Sequence, residues 1–409
     1  HLVHPFAQLV PIFDSTTRKD LAITRAGLTA GDVLRRASRL PSSRLPGPSR
    51  INAARVRELV PAVETAGLKG AFVSWDFKLE DDARLVVSIA RTAGAYGAKM
   101  ITRARATSIS ADGAVVTDEL DGGQFEVRAR NVINATGVWA GTLDPHVELT
   151  PSRGTHLVLP ASALGRPKAS LTVPVPGHFG RFVFTIPQFD DLVYVGLTDV
   201  PAPGPIPDVP TPDAEEIDWI LDVFNRSLSK AITRDDVIGT FAGLRPLAAD
   251  PGSSDSTADI SRHHLITGGL GEVITVTGGK LTTYRRMAQD AVDKISDVEC
   301  QTHRIALVGA GALPADPAIP HRLVRRFGSE ASLIAGLADR DASLLQPLSP
   351  ESHSRVLGVE VLWAQQAEGA LDIEDVVERR TRISLVPEDL AMVSETVSAL
   401  LEATTTAHR

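Results

Sequence analysis

The sequence predicts a mixed α/β fold in three parts: a strand-turn-helix unit, an antiparallel β-sheet region and a C-terminal helical domain. Three observations carry this expectation. Residues 272–277 are β-branched or polar in near alternation, Gly278-Gly279 permit a tight turn, and Leu281, Tyr284, Met287, Ala288, Ala291 and Ile295 then recur at helical spacing. Between Ser152 and Val200 four short runs alternate with turn signals, the pattern of a mostly antiparallel sheet. From about Pro314 the strand pattern gives way to helical periodicity, with candidates at 320–327, 330–337, 354–368, 373–379 and 387–403.

A chain of 409 residues can bury a large core and hold two or three domains. The net charge of −8 leaves no dominant basic field, so nucleic acid is a poor candidate partner. A single cysteine, Cys300, excludes both an internal disulfide and a cysteine-rich zinc site. No apolar run reaches transmembrane length. The first residues read His1-Leu2-Val3-His4-Pro5, with neither an initiator methionine nor a signal-peptide core, and the chain is expected to be a fragment.

Taken in order, His1 to Phe13 carries Pro5 and Pro11 and reads as an extended segment entering a sheet. A helical hairpin is expected next, one helix starting at Thr29-Ala30-Gly31-Asp32, prolines 41 to 48 forming the loop, and a second running from Asn52 to Leu59. Residues 71–76 are strand-like, and Glu80-Asp81-Asp82 opens an amphipathic helix carrying Leu85, Val86, Ile89, Ala90 and Ala93. Strands at 99–109, 114–117 and 124–129 precede a short apolar strand at 131–135, which runs into Thr136-Gly137. The four runs of the antiparallel region lie at 154–159, 170–173, 181–185 and 192–198. Thr211-Pro212 caps a helix from Asp213 to Leu228, and residues 237–247 form a strand ending in Gly243-Leu244-Arg245-Pro246-Leu247.

Several residues invite a chemical reading. The turn at 278–280 aims backbone N–H groups and the Lys280 cation at one place, which suits a phosphate or an electron-rich cofactor edge; it reads equally as an ordinary β-α connection with a surface lysine. Arg245, fixed between Gly243 and Pro246, can clamp a phosphate or carboxylate or serve as a surface ion pair. Gly309-Ala310-Gly311 mimics half of a dinucleotide fingerprint, but prolines 314, 317 and 320 forbid the helix it needs. His156, His263 and His264 lack partners at ligand spacing, so no metal is expected.

The order and spacing of these segments resemble the FAD-dependent glycerol-3-phosphate dehydrogenases. The most specific match is Thr277-Gly278-Gly279-Lys280-Leu281-Thr282-Thr283-Tyr284-Arg285, supported by Asn134-Ala135-Thr136-Gly137-Val138-Trp139, Gly154-Thr155-His156, Gly243-Leu244-Arg245-Pro246-Leu247 and, in the tail, Arg325-Arg326-Phe327-Gly328-Ser329-Glu330. The resemblance implies an FAD-binding Rossmann-like domain, incomplete at its N-terminus because the family's glycine fingerprint for the FAD pyrophosphate lies ahead of the segment matching His1. It also implies an antiparallel substrate domain and a C-terminal helical domain. The corresponding division is 1–69 (part of the substrate domain and a helical connection), 70–145 (FAD-binding), 146–245 (substrate), 246–298 (FAD-binding again) and 299–409 (helical).

In that family reading sn-glycerol 3-phosphate is oxidised to dihydroxyacetone phosphate, with hydride to FAD and electrons on to a quinone. Arg245, Arg262 and Lys280 hold the substrate, and His156 receives its C2 hydroxyl proton unless it only orients the sheet. Ala135, Thr136, Gly137, Gly278, Gly279, Lys280, Leu281 and Thr282 contact the flavin. The protein is expected in the cytoplasm, held peripherally at the inner face of the cell membrane, and as a homodimer. Two alternatives stand beside this: an oxidase that passes electrons to oxygen and makes peroxide, and a truncated, non-catalytic remnant of the same fold.

Overall fold

A computed structural model describes residues 1–178, 180–248 and 263–407, apart from the side chains of 248 and 404–407. The chain opens with β1 (Val3–Phe13), α1 (Arg18–Ala37), β2 (Ser49–Asn52), α2 (Ala53–Leu59), β3 (Leu68–Leu79) and α3 (Asp82–Ala95). A meander of β4 (Ala104–Ser110), β5 (Gly113–Asp118) and β6 (Gln124–Arg128) leads to β7 (Ile133–Asn134) and the one-turn α4 (Ala140–Leu143). Then come β8 (Leu149–Pro160), β9 (Ser170–Pro174), β10 (Phe182–Pro187), β11 (Leu192–Gly196), β12 (Val200–Pro201), α5 (Ala214–Asn225) and β13 (Gly239–Ala248). Next are β14 (His264–Thr267), β15 (Ile274–Gly278) and α6 (Tyr284–Val292). The rest is helical, through α7 (His321–Phe327), α8 (Ala331–Ala335), α9 (Gly358–Glu368), a π-helical stretch Asp375–Arg380 and α10 (Pro387–Ala407).

Among the described residues the largest sheet has nine strands in the order β12-β8-β11-β10-β9-β1-β3-β2, with β13 pairing β8 as well. Its pairings are antiparallel except β1 with β9, as the alternating short strands predict. The boundary expected at residue 70 falls inside β3, which pairs with β1 along almost its whole length in this sheet. A second sheet, β14-β15-β7, pairs β15 with β7 in parallel, and β4-β5-β6 form a third.

The main core lies between one face of the large sheet and α5, where Leu157, Leu159, Leu171, Val183 and Val195 meet Ile220 and Phe224. At the start of α5 the Glu216 side chain reaches back to accept from the N–H of Asp213 at 3.2 Å, satisfying an otherwise open donor. Asp81 caps α3 by accepting from the N–H of Ala83 at 2.9 Å.

The first helix departs from expectation. It begins at Arg18, not at residue 29, because Thr17 caps it by accepting from the N–H of Asp20. Gly27 and Gly31 do not stop it, since an interior glycine costs only about 1 kcal/mol. The strand expected from residue 99 starts at Ala104, after Arg103 takes a left-handed turn at φ 56°.

The C-terminal helices are joined to the rest by ion pairs. Arg84 of α3 meets Glu368 of α9 through both terminal nitrogens at 2.7 Å, with both side chains 2% exposed. Arg322 of α7 bridges Glu360 of α9 and Asp190 of the β10-β11 loop, and Arg326 pairs with Asp81 at 3.2 Å. No described helix is long and apolar enough to cross a membrane.

Candidate functional site

The register of three strands brings the predicted residues onto one face of the large sheet. In β8 and β13, His156 stands opposite Phe241, Gly154 opposite Gly243 and Ser152 opposite Arg245; on the other side of β8, Gly196 of β11 stands opposite His156. Because strand side chains alternate, Ser152, Gly154 and His156 share this face while Thr155, Leu157 and Leu159 turn the other way.

Two of the glycines make room for the functional side chains. A Cβ on Gly154 would lie 2.3 Å from Nη2 of Arg245 and 2.8 Å from its Cζ, so the guanidinium rests on the bare backbone. A Cβ on Gly196 would lie 2.4 Å from Cδ2 of His156, so the imidazole occupies the space a side chain would fill. Both cradles leave the cation and the ring close against the sheet.

The His156 ring stacks on Phe241 at 4.7 Å with the planes 5° apart, and Phe241 meets Tyr194 edge-on at 5.3 Å. From the C-terminal part, the Arg382 guanidinium lies 5.4 Å over the same Phe241 ring, held by Asp82 at 2.6 Å. Burial first, then the positive charges of Arg245 and Arg382, push the His156 pKa down to about 4. The imidazole is therefore neutral at pH 7. Its Nδ1 is buried and has no hydrogen-bond partner among the described residues.

Arg245 is one-quarter exposed; its Nη1 lies 3.4 Å from Oδ1 of Asp199, and its Nη2 donates to the carbonyl of Thr198 at 3.3 Å. Asp199 also accepts from the hydroxyl of Ser152. Thr198 and Asp199 line a cleft of about 870 Å³ that continues between Phe184, Leu197 and Trp219.

The strand ends of the small sheet supply a second wall. Here β7 and β15 run parallel, with Ile133 beside Ile274 and Asn134 beside Thr275, and both end in glycine turns. Such carboxyl-terminal edges of parallel strands are where open α/β sheets receive ligands. Gly137, Gly278 and Gly279 have φ of 63°, 67° and 77°, a conformation that disfavours side chains. A Cβ on Gly278 would lie 2.7 Å from the carbonyl oxygen of His263, and one on Gly279 would meet Met287 Sδ at 2.6 Å, while the space around Gly137 is open.

Buried Asn134 holds the first of these turns. Its Oδ1 accepts from the Thr136 hydroxyl at 2.6 Å and its Nδ2 donates to the carbonyl of Ala140 at 3.1 Å. The turn Gly137–Trp139 packs on β13 and β15, which makes the glycine edge a neighbour of the strand bearing Arg245. Lys280 is exposed, its carbonyl accepting from the Thr283 hydroxyl at 2.9 Å, and Leu281 and Thr282 are exposed in the turn before α6.

The structure thus places His156 and Arg245 on one sheet face, and Ala135, Thr136, Gly137, Gly278, Gly279, Lys280, Leu281 and Thr282 at the ends of the two parallel strands. Arg262 lies outside the described residues. The side-chain-free turns and the exposed Ala135 and Leu281 fit a flat ring system lying along that edge. His264 pairs with Asp290 at 2.9 Å, and no group of three metal-ligating side chains occurs among the described residues.

Sequence reasoning missed the Phe241-Tyr194 support, the glycine cradles and Arg382. The period of two from Gly243 and Arg245 back to Phe241, and from His156 back to Gly154, was a usable signal. The run at residues 374–382 resembles the family's C-terminal domain, but that Arg382 lies over Phe241 depends on how the C-terminal part docks.

Comparison with known proteins gives a consistent picture. Residues 15–285 match the family model described as FAD dependent oxidoreductase, and residues 300–406 match that described as the C-terminal domain of alpha-glycerophosphate oxidase. Glycerol-3-phosphate dehydrogenase 1 of Mycobacterium tuberculosis (strain H37Rv) is 43% identical over 95% of this chain and 77% of its own length. Glycerol-3-phosphate dehydrogenase 2 of the same strain is 30% identical over 94% of this chain and 68% of its own length. The crystal structure of the glycerol-3-phosphate dehydrogenase from Bacillus halodurans complexed with FAD shares the fold, with a TM-score of 0.72 and 24% identity over 98% of this chain and 78% of that one.

Proposed function

The chain belongs to the FAD-dependent oxidoreductase family, among relatives of the glycerol-3-phosphate dehydrogenases, and from that premise we propose that it oxidises sn-glycerol 3-phosphate to dihydroxyacetone phosphate and passes the electrons to a quinone. The observation that carries the site assignment is the pairing of Arg245 over Gly154 with a neutral His156 over Gly196 on one sheet face.

The reaction removes a hydride from C2 of the substrate and a proton from its C2 hydroxyl. FAD, when bound, supplies the hydride acceptor. The residues proposed to hold it are Ala135, Thr136 and Gly137 at the end of β7, and Gly278, Gly279, Lys280, Leu281 and Thr282 at the end of β15. Arg245 binds the phosphate or the polarised C2 oxygen through its planar donors, with Lys280 and Arg262 as further cations, because a dianion leaves water only for several fixed charges. His156 takes the hydroxyl proton on its imidazole ring. Its depressed pKa keeps it in the proton-accepting form throughout the neutral range. Phe241 holds the ring in plane, and Arg382 holds Phe241.

The quinone acceptor, peripheral attachment to the inner face of the cell membrane and a homodimeric state belong to the same proposal and rest on the family resemblance. The test is anaerobic mixing of the purified flavoprotein with sn-glycerol 3-phosphate. Bleaching of the flavin absorbance with stoichiometric dihydroxyacetone phosphate is expected, followed by reoxidation on adding a soluble quinone. Absence of bleaching overturns the reaction. Oxygen as the preferred acceptor, with equimolar peroxide, replaces the quinone by the oxidase reading. Size-exclusion chromatography with light scattering reads the assembly state.

A further inference from the structure

The short segment between β11 and β12 links the two sides of the large sheet. On the α5 side the Thr198 hydroxyl donates to Oε1 of Glu216 at 2.6 Å and accepts from the N–H of Thr155 at 2.9 Å. Both side chains are dry, Thr198 being 3% exposed and Glu216 6%. The other carboxylate oxygen of Glu216 accepts from Nε of Arg153 at 2.6 Å and from the N–H of Asp213 at 3.2 Å. One carboxylate in the first turn of α5 therefore gathers β8, the helix start and the turn at residue 198. A buried carboxylate needs such partners to offset its lost hydration.

On the site face the same turn meets Arg245. The Thr198 carbonyl accepts from Nη2 at 3.3 Å, Oδ1 of Asp199 lies 3.4 Å from Nη1, and Asp199 also accepts from the Ser152 hydroxyl. These two acceptors face different terminal nitrogens of one planar group, so they set its plane as well as its position. Thr198 is thus shared, its hydroxyl belonging to the buried network and its carbonyl to the arginine. With the hydroxyl tied to a helix and a strand, the carbonyl of the same residue has little room to move.

We propose that Glu216, acting through Thr198, and Asp199 are positioning residues that set the plane of the Arg245 guanidinium for the substrate. The inference rests on the reading above, in which Arg245 binds the phosphate or the C2 oxygen. Orientation matters steeply in such a site, where a misplacement of about 1 Å can cost about a hundredfold in rate.

The test uses the flavin-loaded protein and two readouts: the Kd of dihydroxyacetone phosphate by titration calorimetry, and KM and kcat for sn-glycerol 3-phosphate by dye reduction. Thr198→Val removes the shared hydroxyl at nearly constant volume and is expected to raise Kd and KM about tenfold, with kcat changed by less than about threefold. Thr198→Ser keeps the hydroxyl and should bring both constants back to within about twofold of the unmodified protein. Asp199→Asn, whose side chain is 16% exposed, should also raise both by about tenfold. Thr155→Val is the control, because that hydroxyl is equally buried on the same side and has no partner among the described residues. Its KM should match the unmodified protein. In an Arg245→Ala background Thr198→Val should lower kcat/KM no further, since the residue it acts through is gone.

Unchanged Kd and KM in either T198V or D199N overturn the proposal. An equal rise in T155V, or a T198V effect that persists in full in the R245A background, also overturns it and assigns Thr198 to packing. If R245A itself leaves both constants unmoved, the placement of Arg245 at the substrate falls and the proposal falls with it. Product binding that T198V and D199N weaken and T198S restores supports the proposal even if the unmodified protein fails to reduce dye, a result that strikes the catalytic reading alone.

Discussion

Arginine is used in two opposite ways in this molecule. At the junction of α3 with the C-terminal helices, Arg84 is 2% exposed and bound through both terminal nitrogens at 2.7 Å to an equally buried Glu368. On the sheet face, Arg245 is 25% exposed, lies on bare backbone at Gly154 and meets the Thr198 carbonyl at 3.3 Å and Asp199 at 3.4 Å. The first pair is short and dry, with the Arg84 guanidinium also lying 4.9 Å over the Phe327 ring. The second sits beside a cleft and a histidine with an orphaned nitrogen, which are features that a ligand completes. A dry, buried charge pair holds parts together; a partly exposed cation on the same sheet face as a neutral histidine is placed for chemistry.

That comparison can be broken from the structural side first. Replacing Glu368 by Gln strands the buried Arg84 and should lower stability by about 3–5 kcal/mol, read by denaturant unfolding. The paired replacement R84M/E368M should recover most of the loss, since matched apolar side chains leave no buried charge behind. A paired variant as unstable as the single one would refute the account of that junction.

On the site side the effect should fall on catalysis. Arg245→Ala is expected to lower kcat/KM by about 10²–10³-fold with little change in unfolding temperature, the loss typical of a charge-stabilising donor. Gly154→Ala should act more mildly, raising KM about tenfold by pushing the guanidinium off its cradle, since each 1.4 kcal/mol of lost binding is a factor of ten. An unaltered KM in Gly154→Ala would show that Arg245 works from another position.

The smallest effect concerns acidity. Because His156 is held near 4, the acid limb of kcat/KM for the free enzyme should lie well below the ordinary histidine value of 6.5. Arg382→Gln removes one of the positive charges that depress it, so the limb should move upward in pH while the maximum rate changes little. The sign for stability follows from the same depression. The unfolded chain binds the proton more readily, so this group's contribution is present above pH 6.5 and is lost as pH falls towards 4. A limb that stays fixed in Arg382→Gln would sever the C-terminal part from the acidity of the site.

Much of this was legible without coordinates. Strand alternation and turn residues located the strands of the large sheet, and the run from Thr277 to Arg285 pointed to the family. These are local properties: period two, glycine tolerance for positive φ, and a cap all act within a few residues. The first helix begins at Arg18 rather than at residue 29 for a local reason as well, since the Thr17 side chain caps it there.

What the sequence by itself determined, then, was the order of elements, the family and the identity of His156, Arg245 and Lys280 as residues of interest. Tertiary structure alone decided that Gly154 and Gly196 are cradles, that Arg382 reaches the site across more than a hundred residues, and that Glu216 of α5 holds the Thr198 hydroxyl. The reason is physical. Periodicity states which residues share a face, but only packing states what that face meets, and the burial, charge and acidity of a site depend on what it meets.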